Sequence, residues 1–174
     1  MYKLIIFAVA SVVIVFMSRG SLRHPRSHGF FRFFTFESIL VLILLNVDHW
    51  FSNLFSPFQI VSWLLLLSSF ILAAHGFYLL HVIGEAKEGI ENTSNLVVQG
   101  AYRYIRHPLY ASLLLLGWGV FFKGLSLLDG ILVIAISAFL IATARVEEAE
   151  NLRKFGDDYA AYMKRTTTFI PFLF

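Results

Sequence analysis

The sequence has no cysteine among its 174 residues. A disulfide, a thiolate nucleophile and a cysteine-ligated zinc ion are therefore all excluded. Charged residues are also scarce, at 14% of the chain, where soluble proteins have about 25%. Instead, 58% of the residues are apolar, 17% are aromatic, and the mean hydropathy is +0.74. This composition predicts an integral membrane protein.

The chain also lacks a linker rich in Ser, Gly or Pro, a block of like charges, and an internal repeat, so we predict a single domain over residues 1–174. The net charge of +3 and the pI of 9.3 come from basic residues that flank apolar segments. An orientation signal explains them better than binding to nucleic acid, which we do not expect. A basic loop that includes Arg19 follows the first apolar run, where a signal peptide would have small residues, so we expect a membrane helix there.

The apolar residues group into five segments that we predict to be membrane-spanning helices. The predicted spans are residues 4–17, 38–55, 58–80, 109–122 and 127–144. The fold class is therefore predicted to be all-α and polytopic, with a short cytoplasmic helix after the fifth span. Residues 1–80 would form three N-terminal helices, and residues 81–174 would form the part of the domain that carries the site.

The distribution of Lys and Arg predicts the orientation of the chain. Twelve of the 14 lie on one side of the five predicted spans, and only Lys3 and Lys123 fall on the other. Because basic loops remain in the cytoplasm, the N-terminus is predicted to lie outside and the C-terminus inside. The longer connections lie on the inner side, so we expect the active site to face the cytoplasm.

The segment GAYRYIRHPLY, residues 100–110, concentrates cations and phenols at the start of the fourth span. Pro108 suits the first position of a helix, where the missing N–H has no partner to lose. His107 is then placed at the mouth of that helix, where free N–H groups favour an anion, with Tyr110 in the first turn. The alternative is that the Tyr and Arg side chains only anchor the chain among lipid headgroups.

A second polar group, Arg145 with Glu147 and Glu148, follows the fifth apolar run almost directly. Carboxylates so close to hydrocarbon are costly without cationic partners or a hydrated site, so they favour a functional site. The alternative is the solvated face of an ordinary amphipathic helix.

These two segments together resemble a known family. LVVQGAYRYIRHPLYAS, followed one helical hairpin later by EE and FGDDYAAYMKRTTTFIP, is similar to the isoprenylcysteine carboxyl methyltransferases and phospholipid methyltransferases of membranes. The resemblance covers residues 84–171, about half of the chain. It implies an enzyme that binds S-adenosylmethionine between the last two membrane helices and transfers its methyl group to a lipophilic or membrane-associated acceptor.

The resemblance also implies roles for individual residues. His107 and Tyr110 would contact the carboxylate end of the cofactor, and Glu147 its ribose or amino group, with Glu148 beside it. The adenine would lie against Leu96, Val97, Gly100 and Tyr102. Apart from the resemblance, the bidentate chemistry of arginine makes Arg106 and Arg145 candidates to hold an acidic acceptor, and the alternative is that they only signal the orientation of the chain. Glu148 is the third candidate catalytic residue, and no metal is expected. The chain departs from the family pattern at Ser112, where Gly is common, and at Thr168, where a basic residue is common.

Two other functions remain open at this point. One is a membrane reductase of the sterol type that uses NADPH, and the other is a small transporter. His24 and His28 have the spacing of helical metal ligands, but Pro25 disfavours a helix across them and no third ligand is near in sequence.

Overall fold

The computed structural model of the chain describes residues 2–25, 27–84 and 94–171. Arg26 and Lys87, two of the basic residues counted for the orientation, lie outside the described residues. Six α-helices follow one another: α1 Tyr2–Leu22, α2 His28–Asn46, α3 Pro57–Val82, α4 Pro108–Gly124, α5 Leu127–Phe155 and α6 Asp157–Met163. Short 3-10 turns occur at Val47–His49 and Gly100–Arg103, and the described residues contain no strand beyond one isolated bridge.

The prediction of an all-helical membrane protein is confirmed. The helices α1, α3 and α5, and the segment His28–His49 that contains α2, are each long and apolar enough to cross a membrane. The fifth apolar helix, α4, has 17 residues. At 1.5 Å per residue it is about 25 Å long, somewhat shorter than the hydrocarbon core of a bilayer. The predicted inside and outside orientation stays a prediction.

The predicted second span is wrong at both ends. The helix α2 begins at His28 rather than residue 38, because the phenylalanine-rich stretch at residues 30–36 is itself helical. It ends at Asn46, and the following residues form turns in which Asn53 has a positive φ of 47°. Glu37 therefore lies in the middle of α2, where its Oε2 accepts a hydrogen bond of 2.7 Å from Ser11 of α1.

The helix that contains the predicted fifth span is longer than that span. The helix α5 continues past residue 144 to Phe155, so the acidic doublet lies on the same helix as the apolar run. Its start is fixed by a capping box, in which Ser126 Oγ accepts from Asp129 N and Asp129 Oδ2 accepts from Ser126 N, both at 3.1 Å. Its end is followed by Gly156, whose φ of +56° belongs to the left-handed region.

The chain forms two compact units. One comprises Met1–Leu66 and Leu114–Glu147, and the other comprises Leu67–Leu113 and Glu148–Phe174. Helices α3, α4 and α5 each contribute residues to both units. The single-domain organisation stays a prediction.

The first unit is a packed helical core. Its buried side chains include Leu42, Val120, Val133, Ile136 and Leu140. Small residues allow close helix contact, because a Cβ on Gly117 would lie 3.3 Å from Ile136 and one on Gly119 would lie 3.0 Å from Leu66. The second unit contains the GAYRYIRHPLY segment, the end of α5 and the C-terminal residues, and is described next.

Candidate functional site

The mouth of α4 is built as the sequence predicts. Pro108 is the first residue of the helix, and His107 immediately precedes it. The His107 carbonyl accepts from Ala111 N at 2.9 Å, which is the first hydrogen bond of the helix. The His107 N–H donates to the carbonyl of Thr168 at 3.2 Å. The segment before α4 is therefore fixed by the C-terminal residues of the chain.

The imidazole of His107 is enclosed by aromatic rings and a carboxylate. The residue is only 4% exposed, and its ring stacks on Tyr110 with a centroid distance of 5.3 Å and an interplanar angle of 16°. The ring centroid of Phe169 lies 6.2 Å from that of His107, at an interplanar angle of 53°. The Nε2 atom lies 3.4 Å from Oε1 of Glu148. The first turn of α4 and the end of α5 thus meet at this histidine.

Arg106 joins three segments of the second unit. Its Nε donates to Oε1 of Glu148 at 2.6 Å, and both side chains are largely buried, at 10% and 14% exposed. One terminal nitrogen donates to the carbonyls of Met163, at 3.2 Å, and of Thr166. The other donates to Oγ1 of Thr168 at 2.9 Å. Arg106 therefore positions α5 and the C-terminal residues around the mouth of α4. We call this meeting of segments the junction.

Backbone contacts strengthen the same junction. Arg106 N donates to Thr167 O at 2.8 Å, Thr167 N donates to Tyr104 O at 3.1 Å, and Ile105 and Thr167 form a parallel β-bridge. Thr168, noted above as a departure from the family pattern, contributes both its hydroxyl and its carbonyl to this junction.

The 3-10 turn Gly100–Arg103, named here the Gly100 turn, lies on a small hydrophobic cluster of Leu79, Val97 and Tyr102. The Tyr102 carbonyl accepts a hydrogen bond of 2.6 Å from the hydroxyl of Tyr162 on α6. Burial raises the pKa of Tyr162 above the ordinary value of a phenol, so this hydroxyl keeps its proton and remains a donor.

A family model described as a protein of unknown function, DUF1295, matches residues 10–166. The chain belongs to the DUF1295 family. The match includes α2, α3, α4, α5 and α6 entirely, and with them every predicted site residue. No curated protein and no solved structure is significantly similar to the chain.

Most predicted site residues of this DUF1295 protein fall in one compact unit. The second unit contains the following eight: Leu96, Val97, Gly100, Tyr102, Arg106, His107, Tyr110 and Glu148. Of these, Val97, Tyr102, His107 and Tyr110 are buried, while Gly100 is exposed. Arg145 and Glu147 belong to the first unit.

The two residues of the acidic doublet lie on the same helix, α5. Successive residues of an α-helix point about 100° apart, so the carboxylates of Glu147 and Glu148 point in different directions. Glu148 contacts both Arg106 and His107. The predicted contact of Glu147 with the cofactor stays a prediction.

Sequence reasoning missed several residues of this DUF1295 site. Tyr162, Phe169 and the carbonyl groups that receive Arg106 were not predicted. Tyr159 and Tyr162 are three residues apart and share the buried side of α6, a spacing that could have indicated them. Among the described residues, no three His, Asp or Glu side chains come together as a metal site.

Proposed function

We propose that this protein is an integral membrane methyltransferase that transfers a methyl group from S-adenosylmethionine to a lipophilic or membrane-associated acceptor. Three facts support the proposal. The chain has the helices of a polytopic membrane protein, it resembles membrane methyltransferases over residues 84–171, and His107 and Glu148 are neighbours. The observation that supports the proposal most is the position of the Glu148 carboxylate, 3.4 Å from His107 at the mouth of α4.

The residues present suit the chemical groups of the cofactor. S-adenosylmethionine combines a carboxylate, an ammonium group, a cationic sulfur, a ribose diol and an aromatic base. The mouth of α4 offers first-turn N–H groups to a carboxylate, and Tyr110 and Phe169 offer aromatic faces. Val97 and Tyr102, against which the base is proposed to lie, belong to an apolar cluster with Leu79.

Glu148 supplies the acceptor that such a ligand needs. Its contacts with Arg106 (2.6 Å) and His107 (3.4 Å) both fall on one of its two carboxylate oxygens, Oε1. An ionised carboxylate has two oxygens and accepts several hydrogen bonds, so Glu148 is suited to an ammonium group or a ribose hydroxyl as well. We therefore extend the amino or ribose contact, predicted for Glu147, to Glu148.

The residues of the chain would act mainly by positioning and by excluding water. When bound, the cofactor supplies an activated methyl carbon, whose bonding electrons stay with the sulfur as the acceptor's lone pair forms the new bond. No protein nucleophile is needed for such a displacement, and orientation supplies much of the rate. Arg106 would hold Glu148 in place, and Arg145, which is exposed, remains the proposed contact for an acidic acceptor.

Ligand-dependent stability of the purified protein in detergent tests the proposal. We expect S-adenosylmethionine and S-adenosylhomocysteine each to raise the melting temperature, because a ligand that binds only the folded state stabilises it. NADPH should have no effect. Stabilisation by NADPH alone would favour the sterol-reductase alternative, and no response to either sulfur compound would refute the methyltransferase.

Variants then test the residues. We expect His107→Ala, Glu147→Gln and Glu148→Gln each to weaken binding of S-adenosylhomocysteine by about 1–3 kcal/mol, the cost of losing a charged or buried hydrogen-bonding partner. Asp158→Asn is the matched control, because this carboxylate is exposed on α6. Calorimetric titration measures the affinities. Unchanged affinity in all three variants would mean that the assigned residues are wrong even if the ligand binds.

A further inference from the structure

We infer that His75 of α3 is a positioning residue of the proposed cofactor site: its imidazole holds the Gly100 turn in place, so that α3 is part of the site. The inference rests on the proposed function for its consequence, which is ligand affinity. The contact itself depends only on geometry within the second unit.

The contact is a side-chain to backbone hydrogen bond between distant segments. The N–H of Ala101 donates to Nε2 of His75 at 3.3 Å. Ala101 is the second residue of the Gly100 turn, so the turn is joined to α3 at its start. At its other end, the turn is joined to α6 through the Tyr102 carbonyl and the hydroxyl of Tyr162. The turn is thus held from two sides by side chains.

Packing around Gly100 shows how closely α3 approaches the turn. A Cβ at position 100 would lie 2.5 Å from Nε2 of His75 and 2.7 Å from a methyl carbon of Leu79. Gly100 also has a φ of +57°, a conformation that L side chains rarely adopt. The backbone angle therefore favours glycine at this position, and a Cβ there would also displace the side chains of His75 and Leu79.

The same turn of α3 contacts the other end of the motif. A Cβ on Gly76 would lie 2.9 Å from Leu109 and 3.7 Å from Pro108, the first residues of α4. Adjacent residues of α3 therefore contact both the Gly100 turn and the helix mouth that follows His107. A shift of the turn relative to α3 would change the spacing between the two halves of the proposed site.

The hydrogen bond also determines the tautomer of the His75 imidazole. A ring nitrogen that accepts a hydrogen bond carries no proton, so the proton of the neutral ring lies on Nδ1. The required chemical group is therefore an acceptor at the position of Nε2, which makes the inference testable by isosteric substitution. The amide oxygen of glutamine is as many bonds from Cα as Nε2 is, whereas that of asparagine corresponds to Nδ1.

The test compares His75→Asn with His75→Gln in the full-length protein in detergent micelles. We expect His75→Asn to bind S-adenosylhomocysteine about fivefold to tenfold more weakly, as the loss of one hydrogen bond implies, and His75→Gln to restore affinity close to that of the wild type. Hydrogen exchange at the Ala101 amide should be faster in the Asn variant and again protected in the Gln variant. His81→Asn is the matched control, because this second histidine of α3 is exposed, as His75 is, and lies in the last turn of the helix.

The possible failures are distinguishable. If the wild type binds S-adenosylhomocysteine and His75→Asn binds it equally well, the inference is overturned and the proposed function stands. Equal defects in the Asn and Gln variants would also overturn it, because the acceptor atom would then be irrelevant. A wild type that binds no sulfur ligand refutes the proposed function and the role in affinity together. Exchange at Ala101 still reports separately whether His75 holds the turn.

Discussion

Replacing Arg106 should loosen the junction between α5, the mouth of α4 and the C-terminal residues. In Arg106→Ala, Oε1 of Glu148 loses its 2.6 Å donor, and the carbonyls of Met163 and Thr166 and the hydroxyl of Thr168 lose theirs. No single neighbouring side chain can satisfy all of these acceptors. The variant therefore leaves a largely buried carboxylate and several acceptors poorly paired.

The magnitude follows from the burial of the pair. Breaking a fully buried ion pair by removing one partner costs about 3–5 kcal/mol. The side chains of Arg106 and Glu148 are 10% and 14% exposed, so some water reaches the carboxylate and the low end applies. We expect Arg106→Ala to lower the free energy of unfolding by about 3 kcal/mol. Arg106→Lys keeps the charge but not the planar fork, and should lose about half as much.

Denaturant unfolding in detergent micelles, followed by circular dichroism, measures these free energies. Limited trypsin digestion measures the local effect, because cleavage at Lys164 and Arg165 should accelerate if the C-terminal residues detach. Arg103→Ala is the matched control, since Arg103 is exposed and only its 6.0 Å contact with the ring of Tyr104 would be lost. Equal stability and equal proteolysis of Arg106→Ala and Arg103→Ala would refute this account of the junction.

Two further predictions concern the Gly100 turn. Gly100→Ala and Gly156→Ala both place a Cβ on a residue with positive φ, which costs about 1–2 kcal/mol, but only at Gly100 would the new atom meet His75 and Leu79. Gly100→Ala should therefore lower the melting temperature clearly more, and equal losses would contradict the close contact with α3. Tyr162→Phe should cost about 1–2 kcal/mol, because it leaves a buried carbonyl without its donor. The free energy of unfolding of Tyr162→Phe should also fall less than that of the wild type as pH rises past about 10, because the unfolded wild type there loses a phenol proton that the folded state keeps. Identical pH profiles of the two proteins would contradict this prediction.

Local sequence pattern was enough to predict the helical membrane fold and the start of α4. The apolar composition predicted membrane helices, because only closed hydrogen-bonded structures are stable in a bilayer. The sequence Arg106, His107, Pro108 predicted the start of α4, because proline restricts both itself and the residue before it. Helix ends set by long-range packing were less predictable, and α2 begins and ends elsewhere than the hydropathy suggested.

Only the tertiary structure decided which partners the site residues have. Glu148 lies 3.4 Å from His107, although the two residues are 41 positions apart in sequence. Arg106 binds carbonyls about 60 residues away in sequence, and His75 reaches a backbone amide 26 residues away. Sequence pattern specifies contacts within a few residues, through helical period and capping, whereas contacts at these separations depend on how the helices pack. The residues that hold the site in place were therefore visible in the sequence only as residue types, and their partners became visible only in the folded chain.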